Sequence, residues 1–199
     1  MSKGAETRER IVERAWQLAS RDGLSGLSIG KLASDLGLSK SGLFAHFGSK
    51  EDLEIEVLRA AAERFVTQVV RPAIQAPRGV PRLRQLFKNW LVWVNHPGQR
   101  GGGCIFLAAA AELDDVPGPQ RDFVAATQTS LLATVSKAAR IAVEERQLRA
   151  RLDCEQFAYE LLGIMMAYHH THRLLRDPKA ETRAKTAFER LLAASAAAS

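Results

Sequence analysis

Apolar residues recur every three to four positions along almost the whole chain, and no stretch alternates apolar and polar over the length of a strand. Ile11, Ala15 and Leu18, with Val12, Trp16 and Ala19, line one side of a first helix that Gly23 stops. A short helix follows Ser28, with Ile29, Leu32, Ala33 and Leu36 inward and Gly37 breaking it. Ser39 caps a third, with Leu43 and Phe47 on its buried face and Gly48 at its end. Ser49, with Asp52 three residues on, opens a long fourth helix that carries Leu53, Val57, Leu58, Ala61, Phe65 and Val69 and stops before Pro72. After a break at Pro77, Gly79 and Pro81, the pattern predicts helices over 81–96, 103–115 and 119–147, punctuated by His96-Pro97-Gly98 and Val116-Pro117-Gly118-Pro119. Asp153 caps a long helix to about residue 175, Asp177-Pro178 ends it, and a last helix covers 180–194 before an Ala/Ser tail that is expected to fray. The reading is all-α.

Charge and composition narrow the function. Lys and Arg number 28 against 22 Asp and Glu, a net charge of +6, and the isoelectric point is about 9.7. That balance suits nucleic acid or another anionic partner, the plain alternative being an ordinary solubility charge. Cys104 and Cys154 are too few for a disulfide framework and have no zinc spacing, so a reducing cytoplasm is expected. No apolar leader is read at the N-terminus. The longest charge-free stretch, 123–136, contains Thr, Gln and Ser and is shorter than the roughly 20 apolar residues of a membrane span.

The informative stretch is 28–50. Two short helices meet at a tight turn, where Ala33 is small at the crossing and Gly37 can take a positive φ. This is the arrangement in which one helix braces phosphates while the next enters the major groove. The expected DNA-binding residues are Ser28, Ser39, Lys40, Ser41, Gly42, Phe44, His46 and Lys50. Lys40 and Lys50 bring charge, Ser41 a hydroxyl for a base edge or a phosphate, and Gly42 close backbone approach. The first amides of the second helix are expected to be free for phosphate. Taken singly, Ser39 and Ser49 can equally be helix caps.

Residues 7–53 resemble the DNA-binding domain of the TetR (tetracycline-repressor-like) family. The matching residues are Ile11, Ala15, Leu18, Gly23, Ser28, Leu32, Ala33, Gly37, Leu38, Ser39, Gly42, Leu43, His46, Phe47, Lys50 and Leu53. The resemblance implies an all-helical homodimer that binds double-stranded DNA, with a helix-turn-helix domain at 5–50 and a helical effector-binding and dimerisation domain at 51–199. It also implies a repressor that leaves its operator when a small molecule binds; the expected mechanism is movement of the helix that starts at Ser49. One departure stands out: the family often has Tyr where this chain has Phe44, so a phosphate-touching hydroxyl is absent and contact with a thymine methyl, or packing, takes its place.

In the second domain, Phe87, Trp90, Trp93, Cys104, Phe106, Met165, Met166, Tyr168 and His169 form the expected effector pocket, against the alternative that aromatics at helical spacing are core. Asn89, Gln128 or His169 would supply polar contacts, and the Gly101-Gly102-Gly103 run a pliant start to the next helix. No acidic residue occurs from 64 through 111, while seven arginines and lysines do, which points to extra attraction to DNA, to an anionic or mixed apolar–acidic effector, or to a solvated basic face. The helix from Asp153 is apolar nearly all round, and with the last helix it is expected to form half of a four-helix dimer interface through Leu161, Gly163, Ala167, Phe188 and Leu191. His169 and His172 share a helix face, but without an i, i+4 His pair or a Cys-x-x-Cys the metal reading yields to polar packing, and no cofactor is expected. Neither a Ser/His/Asp order nor a phosphate loop is found, so an enzyme ranks below two binding readings: an effector-responsive repressor and an effector-free, DNA-organising or protein-recruiting dimer.

Overall fold

The structure, a computed structural model, describes residues 3–95 and 103–197. Among these residues ten α-helices follow in order: α1 (Lys3–Asp22), α2 (Ile29–Leu36), α3 (Lys40–Phe44), α4 (Lys50–Phe65), α5 (Arg71–Gln75), α6 (Val80–Val94), α7 (Ile105–Leu113), α8 (Pro119–Glu144), α9 (Cys154–Arg173) and α10 (Ala180–Ser195). The all-α reading holds, and the expected caps hold with it. Ser28 accepts from the Lys31 amide, Ser39 from the Gly42 amide, Ser49 from the Asp52 amide, and Asp153 from the amides of Glu155 and Gln156. The expected punctuation at His96-Pro97-Gly98, Arg100 and the first two glycines of the Gly101 run lie outside the described residues.

Three boundaries differ from expectation. Helix α3 ends at Phe44, and Phe47 reaches the core from the turn that follows. The Ala/Ser tail does not fray at Leu192: α10 runs to Ser195, whose carbonyl accepts from the Arg149 amide at 2.9 Å, and Ala196 forms an isolated bridge with Leu148. The backbone leaving α8 needs partners, and a strip of small residues lets it come close enough to find them.

The third difference is at Pro72. The helical line of α4 does not stop there but passes through a π-turn at Val66–Val70 into α5, with the Arg71 amide bonded to the Val66 carbonyl. A proline inside an ordinary α-helix clashes with the carbonyl four residues back, and the wider π-turn relieves that clash. The apolar pattern called for the same device. Val57, Ala61, Phe65, Val69 and Ala73 are all buried at a strict spacing of four. In a straight α-helix that spacing drifts by about 40° per step, so the five would wind away from one another. A stretch of wider turn takes up much of the drift. Asn89 of α6 donates to the Val69 carbonyl at 2.9 Å and accepts from Gln85, so it serves the π-turn.

The chain forms two compact units. One comprises Met1–Arg64 with Asn95–Ala126, the other Phe65–Val94 with Thr127–Ser199. In the first, α1 packs against α2 and α7, and α2 against α3, around Ile11, Ala15, Ala19, Leu32, Leu43, Leu53 and Ala109. In the second, α9 packs on α10 and α5 on α6. Its centre is aromatic: Phe65 stands edge-on to Trp90 (5.9 Å between ring centres) and to Trp93 (5.5 Å), and Phe87 stacks on Phe188 at 4.2 Å.

Candidate nucleic-acid interface

Helix α2 ends in a left-handed residue, Gly37, at φ +66° and ψ +31°. The Leu38 amide reaches back to the Ala33 carbonyl at 2.9 Å and the Gly37 amide to Ser34 at 3.2 Å, a Schellman closure. A side chain at Gly37 would meet nothing within 4 Å, so the requirement is conformational. This closure turns the chain at once into α3, whose inner side buries Leu43 completely while Phe44 stays 39% exposed on the outer side.

Most of the expected DNA-binding residues share that outer side. Ser28, Ser39, Lys40, Ser41 and Phe44 are exposed, and Gly42, His46 and Lys50 are half-buried. The side chain of Lys40 lies across Gly30, with its Nζ 3.8 Å from where a β-carbon there would stand. One expectation needs correcting. The Gly42 amide is not free for phosphate, because Ser39 Oγ accepts it at 3.0 Å while sharing a hydrogen bond with Ser41 Oγ at 3.1 Å. Gly42 makes room for this cap, since a β-carbon would sit 3.1 Å from the hydroxyl. Lys50 Nζ lies 3.4 Å from Glu54 Oε1, and Glu54 also accepts from Gln120 at 3.0 Å.

Sequence reasoning missed three supporting residues. Arg8 places its guanidinium 5.0 Å above the Phe47 ring and pairs with Glu56 at 2.5 Å. Its hydrogen bond, ahead of the opposing effect of burial and the help of Arg59, holds the Glu56 carboxyl below its usual range. Glu54 is nearly buried, and its i, i+4 spacing from Lys50 was the available signal. Glu112 grips the turn between α1 and α2, across a sequence separation that no local pattern shows.

The expected pocket group is divided. Phe87, Trp90, Trp93, Met165, Tyr168 and His169 belong to the second unit, whereas Cys104 and Phe106 belong to the first. Met166 is 52% exposed and is no pocket wall within the chain, because it stands away from the buried Met165 face of α9. Asn89 is committed to the π-turn. In the second unit, Trp90 Nε1 and His169 Nε2 are buried with no hydrogen bond among the described residues. The basic run is also less bare than the sequence alone suggests: Arg64 pairs with Glu13, Arg78 with Glu144 and Glu145, and Arg84 with Glu189.

Burial pushes the His169 imidazole from 6.5 down to about 4, with Arg173, His170 and His172 adding to the effect. The unfolded chain therefore takes up this proton first. The stabilising contribution is full above pH 6.5 and is lost as the pH falls from 6.5 toward 4. Urea melts should lose on the order of 2 kcal/mol over that window, after allowance for partial exposure, and His169→Gln should flatten that part of the profile. An unchanged pH profile in the variant would remove His169 as the cause.

Of the expected dimer residues, Leu161 and Phe188 are consumed by the protomer's own core, with no area left for a partner. Gly163 and Ala167 are exposed and Leu191 nearly buried, along an open groove of about 670 Å³ between α9 and α10 that Ala187 also lines. Tyr159, 68% exposed, lines a separate groove between α8 and α9. No helix among the described residues is long and apolar enough to cross a membrane, and no group of three or more metal-ligating side chains occurs among them.

Comparison with known proteins agrees with this architecture. Residues 79–188, more than half of the chain, match the family profile "Tetracyclin repressor-like, C-terminal domain", and residues 11–57 match "Bacterial regulatory proteins, tetR family". An HTH-type transcriptional regulator of Staphylococcus aureus is 35% identical over 63 residues, which are 32% of this chain and 34% of that protein. The chain thus spans about a third of the length of the curated relatives it matches. A TetR transcriptional regulator from Chloroflexus aurantiacus superposes with a TM-score of 0.86 at 26% identity, over 97% of this chain and 96% of that one. A regulator of the same family from Cytophaga hutchinsonii gives 0.87 at 17% identity, over 100% and 99%. AibR, solved in complex with isovaleryl coenzyme A and operator DNA, gives 0.74 at 22%, over 93% and 97%; at these last two identities the likeness is one of fold.

Proposed function

Because the chain belongs to the tetR family of bacterial regulatory proteins, we propose that it is a transcriptional repressor which a small molecule releases from a pseudo-palindromic operator. The observation that carries the DNA reading is the α2–Gly37–α3 closure, which buries Leu43 and leaves Lys40, Ser41 and Phe44 on one open side. Functionally, residues 5–50 read DNA and residues 51–199 sense the effector and dimerise. Two copies pair through the outward faces of α9 and α10 and hold their reading heads about 34–36 Å apart, one turn of DNA. The effector shifts this spacing only if it binds the two states unequally. The chain acts in the cytoplasm by binding, not by catalysis.

The buried donor at Trp90 and the unpaired His169 nitrogen support an effector that is mostly apolar with a few polar atoms. Coenzyme A thioesters, one of which AibR holds, are a reasonable first class to screen by thermal shift. The rival reading, an effector-free DNA-organising dimer, draws on the deep burial of Phe87, Trp90, Trp93 and Met165. It predicts no metabolite-induced shift.

The DNA assignment is tested by Lys40→Ala combined with Lys50→Ala. Anisotropy titrations against a duplex selected in vitro, and against a shuffled one, should show weaker binding to both. The slope of log affinity against log salt should fall by about two, one for each phosphate that no longer meets a lysine. Unaltered affinity for both duplexes would overturn the assignment.

A further inference from the structure

The turn from α1 to α2 is held by a residue far along the chain. Glu112, in the last turn of α7, accepts three hydrogen bonds there: from the Leu24 amide at 3.2 Å, the Ser25 amide at 2.9 Å and the Ser25 hydroxyl at 2.9 Å. Two successive amides aimed at one carboxylate make a small anion-binding concavity, and here the anion is supplied by the protein itself. The corner is shaped for it. Gly23 sits at φ +84°, and a β-carbon there would lie 2.4 Å from Glu112 Oε1. The other end of α7 is joined to the same corner, since the Gly103 amide donates to the Ser20 carbonyl at 3.2 Å. A single nine-residue helix is thereby fastened at both ends to the place where the chain leaves α1 for the helix-turn-helix.

We infer that Glu112 is a positioning residue for sequence-specific DNA binding: a latch that fixes how α2 and α3 are presented from α1. This rests on the DNA-binding reading above and extends it to a mechanism of control. Charge-assisted hydrogen bonds to a carboxylate are short and steep in distance. Sliding α7 by one residue's rise, about 1.5 Å, breaks all three. Such a slide releases the corner without unfolding either α2 or α3, whose own closures at Gly37 and Ser39 are local. The latch therefore governs specific recognition, which needs α3 in register, more than non-specific attraction, which needs only charge.

The full chain, its Glu112→Ala and Glu112→Gln variants, a duplex selected in vitro by the wild type and a shuffled duplex provide the test. Glu112→Ala should weaken the selected duplex about tenfold or more and leave the shuffled duplex within about twofold, with Glu112→Gln between. Amide exchange should quicken at Leu24 and Ser25 while Leu32 and Leu43 keep their protection. Acetate, a small carboxylate, should restore part of the selected-duplex affinity of Glu112→Ala relative to an equal concentration of chloride; a merely structural role would instead lower affinity for both duplexes and the protection of α2 and α3. The proposal is overturned by unchanged selected-duplex affinity in Glu112→Ala. It is equally overturned by an equal loss on both duplexes with protection lost throughout α2 and α3. A wild-type chain that selects no duplex overturns the DNA-binding reading itself, and so is distinct from a wild type that selects one and a variant that binds it normally.

Discussion

An Ala167→Glu chain is expected to sediment as a folded monomer at concentrations where the wild type is expected to be a dimer. Ala167 lies on the open face of α9, one turn from Gly163, where an added β-carbon would touch nothing in the protomer. The substitution costs the isolated chain almost nothing. In a two-fold interface every change is made twice, so two carboxylates would be buried without partners. Each such charge costs several kcal/mol, enough to raise the dimer dissociation constant at least about a thousandfold. Sedimentation velocity at micromolar concentration, with circular dichroism to verify the fold, is the measurement. Leu161→Glu is the instructive contrast. Its site is fully buried inside the protomer, so that variant should lose its fold rather than only its partner. A wild-type chain that is already monomeric, or an Ala167→Glu chain that still dimerises, would remove α9 from the interface.

The second large effect is on stability. Phe65→Ala should cost about 3–5 kcal/mol, read as a drop in the urea midpoint at unchanged slope. Phe65 is the ring against which both Trp90 and Trp93 are set edge-on, so its removal takes away its own buried area and two favourable aromatic geometries. Neither tryptophan can tilt into the space without leaving its own packed site, and a cavity is the result. Tryptophan emission should broaden in the variant, because two of the chain's three tryptophans line the hole. A loss below about 1 kcal/mol would mean that the neighbouring helices collapse freely into the gap.

The helices and their caps are legible in the sequence because both depend on short-range chemistry. Ser28, Gly37, Ser39, Ser49 and Asp153 announce helix ends within a turn of where they act. The outer side of α3, proposed as the recognition surface, is legible for the same reason, being a contiguous stretch whose inner and outer sides alternate with the helical period. The functions of α9 are harder to divide. A helix apolar nearly all round reports that several sides are covered, but not by what, and so the pattern gives Leu161 and Phe188 to a partner when they belong to the chain's own core. Met166 reads like Met165 because the two are neighbours in sequence, although on a helix they point about 100° apart. The pairings of Arg78 with Glu144 and of Glu112 with the α1–α2 corner join residues more than sixty apart, and composition read along the chain cannot reveal them.

The π-turn carries a consequence for the length of the chain. Because Pro72 needs the wider turn at Val66–Val70, the number of residues here is specified as firmly as their identity. Deleting one would restore an even α-helical screw, and because the wider turn holds one residue more than an α-helical turn, the positions beyond it would stay nearly in phase. Val69 and Ala73 would keep about the face they share with Phe65, but Pro72 would return to a full helical interior that excludes it. Among relatives that keep this proline, gaps should therefore fall in the loops that flank the helical line and avoid these five positions. The spacing acts as a ruler laid along the backbone, and the tolerance of its graduations is less than one residue.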